Sequence, residues 1–361
     1  MSLIAMKQQL IFTNTTAEAI DSLVGRLAPS SLVVITDDNV DRLVLPQLQA
    51  DSKALAGAYV INCRPGDENK NLDALSTILT ELERAGATRS SLVLNIGGGM
   101  ITDMGGFAAA TYKRGVRFIN VPTTLLAAVD ASVGGKTGIN FNGYKNEVGA
   151  FAESEAAIIS TVYFKTLPHA ELLSGYAEML KHALLQSREA FASLLDFEID
   201  NSTASGERML ALLQTSVEIK RRIVETDLHE HGLRRALNLG HTVGHAFESY
   251  AMRRKSPVPH GYAVAWGMVV ELVISHLMLG FPTELLHSYA AFVRTRYGAF
   301  DITCDDYPAL LELMAHDKKN RTPDMINFSL LRDCGDVAID STVSADNIKA
   351  ALDIYRDLMG I

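Results

Sequence analysis

The sequence predicts an α/β fold in the first part of the chain and a helical fold in the second. Short apolar, β-branched runs alternate with helical spacing between residues 31 and 124, which is typical of an open, mostly parallel sheet covered by helices. Beyond about residue 168 the apolar residues recur at helical spacing. With 361 residues the chain is also too long for one simple core, so we expect two domains.

The predicted elements follow one another in order. Apolar runs that end at polar or glycine residues are typical of buried strands, and they lie at 31–36, 58–61 and 91–96. A helix is predicted at 72–85. A further strand starts at Arg117 and ends in Pro122-Thr123-Thr124, whose hydroxyls can cap a helix or bind a ligand. In the second part, helices are predicted at 170–185, 207–225, 237–252, 263–279, 308–316 and 346–359.

The composition argues against several classes of protein. The net charge of −9 disfavours a nucleic-acid partner, because neutralising phosphates needs a basic surface. Cys63, Cys304 and Cys334 lie far apart, which indicates a reducing compartment without a disulfide framework or a cysteine zinc site. The sequence has no signal-peptide pattern and no uninterrupted apolar run of about 18 residues. We therefore expect a cytoplasmic protein without a membrane partner.

A glycine run links the third predicted strand to the segment that follows. At Gly97-Gly98-Gly99, backbone N–H groups can approach a phosphate at a helix N-terminus. The pattern is not the usual dinucleotide fingerprint, because its third glycine is displaced, and it is not a P-loop. A tight turn with close helix packing is the alternative. A second glycine-rich segment holds Lys136 and Lys145; we predict an anion site in this loop, with solvated surface lysines as the alternative.

The helix predicted at 237–252 carries a polar stripe. Wound as a helix, Asn238, His241, His245 and Glu248 lie on one face. Two glycines interrupt this helix, each at a cost of about 1 kcal/mol relative to alanine, which indicates that another group approaches the face closely. Histidines one turn apart are a common metal-binding or proton-transfer arrangement. A packed interface is the alternative.

Taken together, the motifs resemble those of the 3-dehydroquinate synthase family. The resemblance covers nearly the whole chain, and its segments are Gly98-Gly99-x3-Asp103, Tyr112-Lys113-Arg114-Gly115, Pro122-Thr123-Thr124, Asp130-x5-Lys136-Thr137-Gly138-x-Asn140, Lys145-Asn146, Ala177-Glu178-x2-Lys181-His182, Asn238-x-Gly240-His241-x3-His245-Ala246-x-Glu248, His260-Gly261 and Asp317-Lys318-Lys319. It implies a Rossmann-like NAD-binding α/β domain at residues 1–166 and an all-α domain at 167–361. The active site is expected in the cleft between them, and Thr166-Leu167-Pro168 marks the boundary.

The resemblance implies NAD+ as the cofactor. The positions that correspond to the family's NAD contacts are Asp37, Asp67, Lys70, Gly98, Gly99, Asp103, Thr123, Thr124, Asp130, Lys145, Lys165 and Thr166. At Asp67 the family usually has glutamate, which affects the expected ribose contact rather than the cofactor. The chain also lacks the proline that commonly follows the phenylalanine matching Phe151, which we interpret as loop variation.

The resemblance also implies a metal, a substrate and a set of contacts. The metal ligands correspond to Glu178, His241 and His260, with Zn2+ as the expected metal and Co2+ as an alternative; such a set leaves positions open for substrate. The implied substrate is the sugar-acid phosphate 3-deoxy-D-arabino-heptulosonate 7-phosphate, which is cyclised to 3-dehydroquinate with loss of phosphate. Its phosphate-side contacts correspond to Arg114, Lys136, Asn146, Asn238 and Lys318, with Lys319 as the alternative to Lys318. Lys220 and Arg234 match the carboxylate side, Lys181 is a further contact, and Glu230 and His245 match a proton-transfer pair.

Four further expectations or alternatives accompany this resemblance. A homodimer is implied, in which Arg114 reaches into the site of the second subunit. Another sugar phosphate cyclase, acting on a substrate without a carboxylate, is disfavoured because residues such as Arg114 and Arg234 are retained. A metal-dependent polyol or alcohol dehydrogenase shares the fold but lacks the combined Glu178 and His241 motifs. An inactive NAD-binding scaffold is expected to have lost ligands, and this chain has lost none.

Overall fold

The computed structural model describes residues 7–142, 144–228, 230–315 and 325–361. The chain packs as two compact units. Unit 1 contains the chain up to Leu172 together with Asp200–Val217, and unit 2 contains Leu173–Ile199 together with the chain from Glu218 onward. The predicted domain boundary after residue 166 stays a prediction. Lys318 and Lys319 lie outside the described residues, as does the end of the helix predicted at 308–316.

Unit 1 is built on a six-stranded parallel sheet. In chain order the strands of the unit are β1 (Gln9–Phe12), β2 (Leu32–Asp37), β3 (Tyr59–Cys63), β4 (Leu92–Gly97), β5 (Arg117–Pro122), β6 (Lys136–Phe141), β7 (Tyr144–Phe151) and β8 (Ala156–Ile159). All but β6 and β7 belong to this sheet, in the order β1-β8-β5-β4-β2-β3. The predicted open, parallel α/β fold is confirmed, although β1 and β8 were not predicted.

Helices cover both faces of this sheet. They are α1 (Thr16–Leu27), α2 (Asp38–Leu43), α3 (Leu45–Asp51), α4 (Leu72–Arg84) and α5 (Gly99–Thr111). Successive strand residues point to opposite faces, so Val33 packs into the core that contains α4 and α5, whereas Val34 packs into the core that contains α1 and α3. Because both faces are covered, the central strands are mainly apolar, which made β2 and β4 recognisable in the sequence.

The glycine-rich segment that holds Lys136 and Lys145 was predicted as a loop, and this prediction is wrong. The segment forms an antiparallel hairpin of β6 and β7. Two of its glycines, Gly138 and Gly149, lie opposite each other in the strand pair. Lys136 begins β6, and Lys145 and the adjacent Asn146 lie on β7.

Unit 2 is mainly helical. The remaining helices are α6 (His169–Leu184), α7 (Arg188–Leu195), α8 (Asn201–Ala204), α9 (Glu207–Thr226), α10 (His241–Arg253), α11 (His260–Leu279), α12 (Thr283–Arg296), α13 (Tyr307–Ala315) and α14 (Ala345–Met359). Of these, α8 and the first parts of α6 and α9 belong to unit 1. The predicted helical second half is confirmed. It also contains an antiparallel pair that the all-α prediction omitted, β9 (Met325–Asp333) and β10 (Asp336–Ser344).

The helix predicted at 237–252 begins later than expected, at His241. Leu233–Asn238 form a short 3-10 helix, and Gly240 then adopts a left-handed conformation with a φ of 80°. Residues with a side chain resist this conformation, so Gly240 separates two segments instead of lying inside one helix. The predicted stripe is therefore wrong at Asn238, which does not lie on the helix of His241 and His245.

Helix α11 is the one helix, within the described ranges, that is long and apolar enough to cross a membrane by length and composition. Most of it is buried in the protein, including the charged residue Glu271. An all-round apolar helix that is buried in this way is typical of the core of a large globular protein. The expected absence of a membrane partner stays a prediction.

Candidate metal centre and cofactor-binding residues

Three helices of unit 2 bring the predicted metal ligands together. Glu178 lies on α6, while His241 and His260 are the first residues of α10 and α11. The Glu178 Oε1 atom lies 3.4 Å from His241 Nε2 and 3.7 Å from His260 Nε2. Two imidazole nitrogens and one carboxylate oxygen therefore converge on one point.

The second nitrogen of each imidazole has a hydrogen-bond acceptor. His241 Nδ1 lies 3.1 Å from the Leu239 carbonyl oxygen, and His260 Nδ1 lies 3.3 Å from Glu248 Oε2. Because a carbonyl and a carboxylate only accept, both Nδ1 atoms donate, and each neutral ring keeps its lone pair on Nε2. Donation from the other ring nitrogen to a carbonyl or carboxylate is usual for metal-binding histidines. The sequence placed Glu248 on the right face but did not indicate that it holds His260.

Glu178 is fully buried, and its Oε1 atom, which faces both imidazoles, accepts no hydrogen bond from any residue that the structure describes. Lys181 Nζ contacts Oε2 and offsets part of the negative charge. A buried carboxylate oxygen without a donor is unfavourable, and a divalent cation bound at Oε1 relieves it. Carboxylate oxygen and imidazole nitrogen suit Zn2+ and related metals. These residues therefore fit a divalent metal.

The protonation state of His241 suits the same interpretation. Burial lowers the pKa of His241 well below its usual value of 6.5, and the positive charge of Lys181 lowers this pKa further. His241 is therefore neutral at pH 7. The neutral imidazole is the form that binds metals.

His245 lies beside the same group of side chains. It is exposed on the next turn of α10, and its ring centroid lies 5.2 Å from that of His241 and 5.8 Å from that of His260. One nitrogen of each of the three rings lies within 4.8 Å of the others. The geometry is therefore also compatible with a three-histidine site without Glu178. Proton transfer is the other role that suits His245, because imidazole is a common acid-base group and this ring can exchange protons with solvent.

Three of the predicted substrate-binding cations are buried. Lys181 is 1% exposed, Lys220 is 5% exposed and Arg234 is 3% exposed. Lys181 pairs with Glu178, and Arg234 donates a hydrogen bond to the Leu228 carbonyl at 2.6 Å. Their burial argues against the alternative that these cations are solvated surface charges.

Two further predicted residues contact each other in unit 2. Asn238 Nδ2 donates to Glu230 Oε1 at 2.8 Å. Glu230 has a φ of 60°, and such backbone conformations cluster at functional sites. The structure therefore joins a predicted phosphate-side residue to a predicted proton-transfer residue.

In unit 1 the glycine turn leads from β4 directly into α5. Gly98 is the N-cap of α5, Gly99 is its first residue, and the cap residue supplies no side-chain hydrogen bond. Thr123 N donates to the Gly97 carbonyl at 2.9 Å, and a Cβ on Gly98 would lie 3.1 Å from Thr124 Cγ2. The carboxyl ends of β4 and β5 therefore meet at a helix N-terminus, an arrangement that binds phosphate. Asp130 follows in the short π-helix Ala127–Ala131.

A second cluster of predicted NAD positions surrounds Lys70. Lys70 Nζ lies 2.5 Å from Asp103 Oδ2 and 2.5 Å from Asn146 Oδ1. Lys145 Nζ lies 3.1 Å from Asp67 Oδ2. Asp67 thus pairs with the hairpin of β6 and β7.

Asp37 has a structural role as well as its predicted cofactor role. Its Oδ1 atom accepts hydrogen bonds from Asn39 N at 2.9 Å and Val40 N at 3.2 Å, so it caps α2. Burial raises the pKa of this carboxyl group. Asp37 also ends β2, so it lies at the carboxyl ends of the strands, as the glycine turn does.

Arg114 lies at the opposite ends of the strands from the glycine turn. It precedes β5, whereas Thr123 follows it, and a strand of six residues separates their backbones by roughly 20 Å. Lys113, Arg114 and Gly115 have successive φ values of 49°, 65° and 118°, so Arg114 stands on a strained tip. It lies far from the glycine turn of its own unit.

Lys165 and Thr166 lie in the 3-10 turn Val162–Thr166. They line a cavity of about 560 Å³ together with residues 14–18 at the start of α1 and residues 43, 44, 47, 48, 51, 162 and 163. Of the predicted NAD contacts, only these two line it. The cavity is therefore a different place in unit 1 from the glycine turn and from the cluster around Lys70.

Comparison with known proteins identifies close relatives by sequence. Two family profiles, 3-dehydroquinate synthase N-terminal and 3-dehydroquinate synthase C-terminal, match residues 60–174 and 175–320. A 3-dehydroquinate synthase from Parabacteroides distasonis is 45% identical over 98% of this chain and 99% of its own length. One from Clostridium tetani is 33% identical over 90% of this chain and 85% of its own length.

Solved structures share the fold. A 2-deoxy-scyllo-inosose synthase complexed with carbaglucose-6-phosphate, NAD+ and Co2+ has a TM-score of 0.82, with 23% identity over 96% of both chains. ValA, a 2-epi-5-epi-valiolone synthase from Streptomyces hygroscopicus subsp. jinggangensis with NAD+ and Zn2+ bound, has a TM-score of 0.81, with 23% identity over 99% of this chain and 98% of its own. At this identity the likeness concerns the fold alone. The sequence matches reach further, and they show that the chain belongs to the 3-dehydroquinate synthase family of phosphate-eliminating lyases.

Proposed function

We propose that this chain converts 3-deoxy-D-arabino-heptulosonate 7-phosphate into 3-dehydroquinate and phosphate, with catalytic NAD+ and a bound divalent metal. The observation that carries the proposal is the convergence of His241 Nε2 and His260 Nε2 on the buried Glu178 carboxylate, in a member of the 3-dehydroquinate synthase family. We propose Zn2+ as the metal and Co2+ as a substitute. The two fold relatives with bound Co2+ and Zn2+ support this choice.

The metal would be held by Glu178, His241 and His260. When bound, it supplies a Lewis acid that polarises substrate hydroxyls. The hydrogen bonds at both Nδ1 atoms hold the rings in the ligand tautomer. His245 and Glu230 are the proposed proton-transfer pair; His245 exchanges protons with solvent, and Asn238 orients the Glu230 carboxylate.

The NAD+ site would be formed by unit 1. When bound, NAD+ supplies a reversible oxidation of one substrate carbon, which acidifies the neighbouring C–H bond for elimination of phosphate and leaves no net redox change. The N-terminus of α5 at Gly98 and Gly99, which has no side-chain cap, would bind the pyrophosphate. The remaining proposed contacts are Asp37, Asp67, Lys70, Asp103, Thr123, Thr124, Asp130, Lys145, Lys165 and Thr166.

Anion recognition would draw on several cations. Buried Arg234 can bind a carboxylate with two parallel hydrogen bonds, and buried Lys220 and Lys181 add positive charge. On the phosphate side the proposed contacts are Lys136, Asn146, Asn238, Arg114 and Lys318. Arg114 lies at the opposite ends of the strands from the glycine turn. We therefore propose that it binds phosphate in the active site of the second subunit of a homodimer. We also propose a cytoplasmic location without nucleic-acid or membrane partners.

Parallel assays of three substrates test the proposed function. Protein loaded with Zn2+ and NAD+ receives the seven-carbon acid phosphate, a sugar phosphate without a carboxylate, or a polyol. We expect phosphate release from the acid phosphate alone. Phosphate from the carboxylate-free substrate alone would indicate another cyclase, and net NADH from the polyol would indicate a dehydrogenase.

A pair of arginine variants tests the carboxylate contact in the same assay. Arg234→Lys removes the planar fork but keeps the charge, so we expect a higher KM for the acid phosphate. Arg222→Lys is the control, because Arg222 is exposed on α9 and pairs with Glu218. Equal kinetics for the two variants would refute the assignment of Arg234.

A further inference from the structure

Helix α10, which carries His241 and His245, has no cap of its own. Its N-cap residue is Gly240, which offers no side-chain acceptor to the first N–H groups of the helix. Two acceptors come instead from a residue distant in sequence. Glu271 Oε2 accepts from Gly240 N at 2.6 Å, and Glu271 Oε1 accepts from Val243 N at 3.1 Å.

Glu271 is an unusual residue for its position. It is fully buried on the mainly apolar helix α11. A buried carboxylate is tolerated here because it receives two backbone hydrogen bonds and faces the positive end of the α10 dipole. It lies about three turns, or roughly 16 Å, along α11 from His260, the first residue of that helix. The same helix therefore carries one proposed metal ligand and caps the helix of another.

The two helices touch where this cap is made. Gly267 lies one turn before Glu271, and a Cβ at Gly267 would lie 2.2 Å from Gly240 O and 2.6 Å from Gly244 N. Such contacts leave no room for a side chain, so the N-terminal turn of α10 rests directly on α11. The contact sets the separation of the helices, and the carboxylate holds the turn that contains His241 in place.

We propose that Glu271 is a positioning residue for the metal centre. Its carboxylate fixes the backbone from Gly240 to Val243 and, through it, the direction of His241 Nε2 towards Glu178 and His260. This inference rests on the proposed function, because it takes His241 and His260 as metal ligands. Glu271 acts through the backbone, unlike Glu248, which binds an imidazole directly.

The test is Co2+ binding by the Glu271→Gln variant of the 361-residue chain. A glutamine keeps the shape, but its amide nitrogen cannot accept from a backbone N–H, so one of the two cap bonds is lost. We expect Co2+ affinity, measured by competition with a chelator, to fall about ten- to a hundred-fold, and the Co2+ absorption bands to shift. The control is Ser344→Ala, which removes the side-chain cap of α14 in the same unit and should change neither.

The outcomes separate this inference from the proposed function. Unchanged Co2+ affinity and absorption in Glu271→Gln, even with a lower melting temperature, would overturn the positioning role and leave the metal centre intact. A wild-type protein that binds no Co2+ would overturn the metal centre and this inference together.

A measurement on the wild type covers the case in which the variant does not fold. Because coupling is reciprocal, a cap that positions His241 for the metal must itself be stabilised by the metal. Amide hydrogen exchange at Gly240 and Val243 should therefore slow on addition of Zn2+, and by more than at Asn347 in the α14 cap. Equal exchange at Gly240 and Val243 with and without Zn2+ would overturn the proposal.

Discussion

Replacing His241 with alanine removes one proposed ligand while the rest of the group stays in place. Structural zinc sites with four ligands bind with roughly 10–16 kcal/mol, which is about 2.5–4 kcal/mol for each ligand. Loss of one ligand should therefore weaken metal binding by about 10² to 10³-fold. The substituted side chain is 14% exposed, so water can enter the space it leaves. We expect His241→Ala to lose metal and phosphate-releasing activity together.

The assay combines elemental analysis after dialysis with phosphate release from the same sample. His245→Ala is the matched control, because it removes the same side chain one turn further along α10. This variant should keep its metal and turn over about 10² to 10⁴-fold more slowly, the range for loss of a proton-transfer group. Full metal content in His241→Ala would refute the assignment. Loss of metal from His245→Ala would favour the three-histidine site instead.

Three further experiments test the contact to His260, the second subunit and the cap of α8. Glu248→Gln should weaken Co2+ binding about ten- to a hundred-fold, because the carboxylate that accepts from His260 Nδ1 is replaced by a neutral amide. Unchanged Co2+ affinity in chelator competition would contradict this role of Glu248. Mixing inactive Arg114→Ala and His241→Ala dimers should restore about a quarter of wild-type activity, since half of the dimers are mixed and each has one complete site; no recovery after demonstrated subunit exchange would argue against an arginine from the second subunit. Hydrogen bonds, first that from the Ser202 hydroxyl, lower the pKa of Asp200 to about 2, so its contribution to stability is present above pH 3.8 and is lost as the pH falls towards 2. Asp200→Asn should thus unfold at lower urea than wild type at pH 6, with a gap that narrows in acid; a gap independent of pH would contradict the argument.

The fold of unit 1 was predictable because its sheet is covered on both sides. Strands such as Leu92–Gly97 are buried along their whole length and therefore stand out as apolar runs. The hairpin that holds Lys136 and Lys145 was not predictable in this way, because its glycines favour a turn locally. These glycines adopt a strand conformation because they pair with a neighbouring strand, and local sequence patterns do not indicate such pairing.

The candidate metal residues were found through the resemblance, and local spacing alone would not have joined them. Glu178 and His260 lie on different helices, and only the packing of unit 2 brings Oε1 and Nε2 to 3.7 Å. The spacing argument placed Asn238 on the histidine stripe, because it could not foresee the left-handed Gly240. The cap from Glu271 joins residues 31 positions apart, and no local pattern indicates such a pair.

The central claim is a phosphate elimination that uses NAD+ without consuming it, and the ratio of phosphate to NAD+ tests it most directly. Metal-loaded protein with a trace of NAD+ is mixed with 3-deoxy-D-arabino-heptulosonate 7-phosphate, while phosphate and the absorbance of NADH are followed together. We expect many phosphates for each NAD+ and no accumulation of NADH. One phosphate or fewer for each NAD+, with NADH rising in proportion, would contradict the account.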